Sequence, residues 1–76
     1  MIDTYLLEQL CAVLDCGTLS AASEKLHLTQ PSLTRSMQKL EDLLGVKLFD
    51  RAKNRVHLNE NGRLAAECAK HILMEE

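Results

Sequence analysis

A chain of 76 residues has room for one domain and buries only about 60 % of the surface its unfolded form exposes. It contains no apolar run near the roughly 20 residues of a membrane span and no basic start leading into an apolar export segment, so a cytoplasmic address is expected. The net charge of −2 conceals a basic middle: residues 31–58 carry six bases against three acids, whereas 1–30 carry one against four and 59–76 two against four, so overall acidity does not exclude a nucleic-acid partner.

In chain order, Leu6, Leu7, Leu10, Cys11, Val13 and Leu14 recur at steps of three and four, the pattern of a helix with one buried stripe. Gly17 is its left-handed stop. Thr18 is an N-cap for a short second helix with apolar positions Leu19, Ala22 and Leu26; small Ala21 and Ala22 allow close approach of another helix. His27, Leu28 and Thr29 leave room only for a tight helix-turn-helix corner.

The stretch "LTQPSLTRSMQKLEDLLG" predicts a third helix. Thr29 caps it, and Pro31 is tolerated because first-turn amides have no intrahelical partner. Leu33, Met37, Leu40 and Leu44 step by four, three and four along one arc, with Pro31, Thr34, Arg35, Gln38 and Asp42 opposite; Gly45 supplies the stop. The period then changes. "VKLFDR" alternates, "AKN" is a turn candidate and "RVHL" alternates again, which predicts a β-hairpin with a basic tip. Met37 and Phe49 are expected in the core.

Asn59 caps a last helix, with Glu60 suited to its first turn. Leu64, Ala65, Cys68, Ala69, Ile72 and Leu73 cover about half its circumference, more than one small body needs. The helical pattern runs to the end of the chain without a cap. Cys11, Cys16 and Cys68, an odd number without disulfide spacing, read as buried reduced thiols. Cys68 and His71 stand three apart, but a closed zinc site needs four ligands, so neither a metal nor another cofactor is expected. No nucleophile has a neighbouring base and no glycine-rich phosphate loop occurs, so catalysis is not expected.

Three helices followed by a hairpin, with a tight corner between the second and third, form a mainly α, winged helix-turn-helix arrangement. Such a third helix lies in the major groove of DNA. Arg35 suits guanine, Gln30 or Gln38 suits adenine, and the Thr34 methyl suits thymine. The hydroxyls of Ser32 and Ser36 and of caps such as Thr29 suit phosphates; Lys39 and Lys47 fit a phosphate contact and a solvated surface equally well.

The segments "GTLSAASEKL", "LTQPSLTRSMQKLE", "LGVKLFDR" and "VHLNENG", covering most of the chain from Gly17 to Gly62, resemble the DNA-binding domain of LysR-type transcriptional regulators. The resemblance implies that Gln30, Pro31, Thr34 and Arg35 enter the major groove and that Ser20 and Ser32 lie near phosphates. Thr34 stands where serine is usual, and Asn59 where threonine usually caps. The resemblance puts Arg51, Lys53, Asn54 and Arg55 of the wing near phosphates or the minor groove; an arginine is usual three residues after the position of Arg51, but here Asn54 is there, between Lys53 and Arg55, which leaves the minor-groove residue open. The resemblance further implies that residues 1–58 form the winged domain and that 59–76 begin a linker helix on which two chains pair, through Leu64, Ala65, Cys68, Ile72 and Leu73. A small-molecule effector would act only through a domain absent from this chain.

The expected function is therefore sequence-specific binding of a double-stranded DNA operator by a homodimer. The competing expectation is a winged-helix protein-interaction module that leaves DNA alone. Salt-sensitive retention on nonspecific duplex separates the two, since phosphate binding weakens steeply with salt.

Overall fold

A computed structural model describes residues 3–52 and 55–74, and in them four helices and a two-stranded antiparallel sheet follow in the order α1 (Thr4–Cys16), α2 (Leu19–Leu26), α3 (Gln30–Leu44), β1 (Phe49–Ala52), β2 (Arg55–Leu58), α4 (Glu60–Leu73). Each helix starts on a side-chain cap. The Asp3 carboxylate accepts from the Tyr5 amide (2.9 Å), the Thr18 hydroxyl from Ala21 (3.1 Å), the Thr29 hydroxyl from Ser32 (3.3 Å) and the Asn59 amide oxygen from Gly62 (2.8 Å). Such a cap satisfies a first-turn amide that the helix cannot pair and contributes about 1 kcal/mol.

Left-handed residues end the helices: Gly17 at φ 90°, His27 at 58°, Gly45 at 73° and Met74 at 59°. The predicted corner occupies residues 27–29. His27 donates its amide to the Glu24 carbonyl (3.2 Å) and Leu28 reaches back to that of Ser23 (2.9 Å), satisfying carbonyls that would otherwise end the helix unpaired.

Leu10, Val13, Ala22, Leu33, Leu40, Leu48 and Ala66 are wholly buried, so all four helices and the approach to the hairpin share one core. Each large aliphatic side chain there contributes about 1.5–3 kcal/mol through burial. α1 and α4 run parallel. The Cys11 thiol contacts the Ala66 carbonyl at 3.8 Å, and one turn further along both helices Lys70 pairs with Asp15 at 2.6 Å.

Several expectations need correction. Gln9 and Ala12 join the buried face of α1, while Leu7 and Leu14 are only half-buried; Leu44, placed in the buried arc of α3, is exposed. Strand pairing begins at Phe49, with Phe49 opposite Leu58 and Ala52 opposite Arg55, whereas Val46 is exposed. Phe49 is half-buried against the core and Met37 fully buried. Of the turn "AKN", Lys53 and Asn54 lie outside the described residues. Instead of running uncapped to the chain end, α4 stops at Leu73 on left-handed Met74. Of the three thiols only Cys11 is buried: Cys16 is half-buried and Cys68 exposed.

The buried face of α4 is Gly62, Ala66 and Ala69, narrower than the stripe expected from periodicity and made of small residues. Ala65 and Leu73 are half-buried, Ala65 against the chain's own core, while Leu64, Cys68 and Ile72 form an exposed row at four-residue spacing. Among the described residues no helix is long and apolar enough to cross a membrane.

Candidate nucleic-acid interface

The corner sets α3 across α2 with its outward face clear of the core. Gln30, Pro31, Arg35, Gln38 and Lys39 are exposed on it, and Ser32, Thr34 and Ser36 are half-buried at its margins. The arc expected to be polar therefore faces outward, while Leu33, Met37 and Leu40 hold the opposite side at 0–2 % exposure. Fifteen residues make a helix of about 22 Å, long enough to lie along a DNA groove.

Two grooves flank this helix. One, between α3 and the hairpin, is lined by Thr34, Gln38, Glu41, Lys47, Phe49 and Val56. The other, between the α2 N-terminus and the start of α3, is lined by Thr18, Ser20, Glu24, Gln30 and Val56 among others. Val56 of β2 borders both, so residues far apart in sequence converge on one surface. Ser20 is exposed at the first turn of α2, beside Gln30.

Among the described residues, no carboxylate lies within ion-pair range of Arg35, Lys39 or Lys47; the ion pair present joins Lys70 of α4 to Asp15 of α1. Among the described residues Arg35, Lys39 and Lys47 are therefore outside any ion pair, and their charge adds to the field at this surface. Lys47 lines the groove between α3 and the hairpin together with Thr34 and Gln38.

Of the hairpin residues predicted to contact DNA, Arg51 stands opposite Val56 in the strand register and Arg55 opposite Ala52, while Lys53 and Asn54 lie outside the described residues. Thr29 is engaged as the cap of α3, where its hydroxyl oxygen accepts the Ser32 amide, and its O–H can still donate to a phosphate.

Two residues that sequence reasoning left without a part at this surface secure the hairpin's base. The Glu41 carboxylate accepts the Leu48 amide at 2.7 Å, and Asn59 donates its side-chain amide to the Lys47 carbonyl at 3.1 Å and its backbone amide to that of Leu48 at 2.9 Å. No local pattern announces bonds across seven to twelve residues. Among the described residues no group of three or more His, Cys, Asp or Glu could hold a metal ion.

The sequence pattern of bacterial regulatory helix-turn-helix proteins of the lysR family matches residues 5–63. The chain is 40 % identical over 73 residues to the SDS degradation transcriptional activation protein of Pseudomonas sp. (strain ATCC 19151), covering 96 % of this chain and 24 % of that protein. It is 42 % identical over 72 residues to an HTH-type transcriptional regulator of Azotobacter vinelandii, covering 95 % of this chain and 50 % of that one. It thus spans from about a quarter to half of the length of these relatives. Its fold is similar to the DNA-binding domain of CbnR in a crystal structure with DNA, at a TM-score of 0.86 and 37 % identity, over 96 % of this chain and 84 % of that one.

Proposed function

Because the chain belongs to the lysR family of bacterial regulatory helix-turn-helix proteins, we propose that it is a reading head for double-stranded DNA, working as a homodimer on an inverted repeat. α3 enters the major groove. Arg35 forms a bidentate pair with a guanine, Gln30 or Gln38 reads adenine, and Thr34 packs its methyl on thymine beside Pro31. Ser20, Thr29, Ser32 and Ser36 hold phosphates and so fix the register of the helix. The hairpin grips the flanking minor groove with cations drawn from Arg51, Lys53 and Arg55, next to Asn54.

What supports this reading is the convergence of Ser20, Gln30, Thr34 and Gln38 along two grooves that share Val56, together with the family membership. Two heads pair through the exposed row Leu64, Cys68 and Ile72 on α4, with Ala65 and Leu73 at its edge, since an exposed apolar row on so small a body gains by mutual burial. The relatives are regulators and not enzymes by name, and no catalytic role is proposed.

Selection of bound duplexes from a random pool at near-physiological salt tests the whole reading. An enriched inverted repeat is the expected result, and its half-site spacing reports the dimer geometry. A folded, dimeric chain that enriches nothing would refute it in favour of the protein-interaction module, which the net charge of −2 favours.

A further inference from the structure

We propose that Glu41 and Asn59 are positioning residues for DNA reading: together they clasp the Lys47–Leu48 backbone and hold the hairpin at one setting against α3. The inference rests on the DNA-reading function proposed above. Leu48 is wholly buried and immediately precedes β1. Its amide donates to the Glu41 carboxylate of α3 at 2.7 Å, and its carbonyl accepts from the Asn59 amide at the start of α4 at 2.9 Å. Asn59 adds a second bond, its side-chain nitrogen donating to the Lys47 carbonyl at 3.1 Å, while its side-chain oxygen caps α4 at Gly62. Three elements are therefore tied at one dipeptide.

A two-stranded hairpin is marginal by itself, so its direction is decided by whatever holds its base. The base here is Leu48 just before β1, and Leu58 at the end of β2 with Asn59 just after it. Gly62 has no room for a β-carbon against the Leu48 carbonyl, which presses α4 onto the same point. Glu41 and Lys47 also line the groove between α3 and the hairpin, with Thr34, Gln38 and Val56. The clasp thus sets the spacing between the helix that reads bases and the hairpin that grips the minor groove.

Glu41 offers DNA nothing directly. A carboxylate near phosphates is repulsive, so loss of its charge alone would strengthen binding. Glu41→Gln and Glu41→Ala remove the same charge, but only glutamine retains an acceptor for the Leu48 amide. The difference between the two variants therefore reads the hydrogen bond. Asn59→Ser is the complementary change: it keeps a cap acceptor for α4 and removes the nitrogen that reaches Lys47.

The test is a double-mutant cycle on duplex affinity, using the selected operator and the 76-residue chain. The partner change is a wing-neutral chain in which Arg51, Lys53 and Arg55 are alanine, assayed at low salt so that binding persists. Glu41→Ala should weaken binding about tenfold, the loss of one hydrogen bond to a charged group, while Glu41→Gln stays within about threefold of the parent. Asn59→Ser should cost about fivefold. In the wing-neutral chain all these penalties should disappear, because groups that act through a common element are not additive. Circular dichroism measures the folded fraction of each variant, and if Glu41→Ala does not fold, Asn59→Ser carries the cycle. Equal losses for Glu41→Ala and Glu41→Gln, parent-like binding by Glu41→Ala, or penalties undiminished in the wing-neutral chain would each overturn the clasp. Failure of the unmutated chain to bind any duplex would instead overturn the DNA-reading function on which it stands.

Discussion

Gly62→Ala sets two effects of opposite sign against each other at one residue. Gly62 lies in the first turn of α4, where its amide is held by the Asn59 cap. Alanine is favoured over glycine by up to about 1 kcal/mol in a helix interior, so propensity alone predicts a more stable protein. Packing predicts the reverse. A β-carbon would stand 2.6 Å from Leu58 Cδ2 and 3.1 Å from the Leu48 carbonyl carbon, and closer still to its oxygen. That oxygen cannot yield freely, because it accepts the Asn59 amide, and Leu48 and Leu58 are 0 % and 5 % exposed. Overpacking of a tight core costs about 1–3 kcal/mol, which outweighs the propensity gain. Urea unfolding should therefore show a net loss of about 1–2 kcal/mol with the m-value unchanged, or a Tm lower by roughly 5–15 °C for a chain of this size. Gly17→Ala is the control for backbone strain without a clash, since φ is 90° and nothing lies within 4 Å of the point a β-carbon would occupy; it should cost about 1–2 kcal/mol by conformation alone. A Gly62→Ala protein as stable as its parent would show that α4 can move off Leu48, and the close approach described above would be wrong.

Gln9 is 1 % exposed and its Oε1 has no hydrogen-bond partner among the described residues, so Gln9→Met should raise stability by about 1 kcal/mol; a loss in urea unfolding would mean that the amide is satisfied by water. His27 ends α2 in the left-handed region, at φ 58° and ψ 38°, where glycine is at ease, so His27→Gly should stabilise by about 1 kcal/mol, and an unchanged unfolding midpoint would show that the corner holds no strain. Arg35→Ala should cost about 1–3 kcal/mol of operator affinity and relax preference at one base position; intact discrimination in a repeated selection would remove α3 from the groove. Lys53→Ala should weaken binding to all sequences alike and reduce the salt slope by about one, whereas a change confined to one sequence would assign Lys53 to base reading.

The boundaries of the helices are legible in the sequence because they are written locally. Asp3 apart, every cap follows from a Thr or Asn ahead of an apolar period: Thr18, Thr29 and Asn59 each satisfy the amide that the spacing predicts. Gly17 and Gly45 stop helices where a β-carbon would be strained. The outward arc of α3 is legible for the same reason, since core positions at helical spacing leave the remaining residues outside, and the family pattern in that arc is specific.

What the tertiary structure alone decided involves partners that are distant along the chain. Periodicity marks a position as apolar without saying what will cover it, so Cys68 read as buried, yet the small residues Gly62, Ala66 and Ala69 were the ones α1 and the hairpin base could accommodate closely. Gln9 shows the converse, a polar side chain buried because its place on α1 faces the core. The bonds from Glu41 and Asn59 to Lys47 and Leu48 connect segments whose separation leaves no periodic trace. Local sequence can specify a helix because its bonds close within four residues; the angle between hairpin and helix had to wait for contacts that only the folded chain brings together.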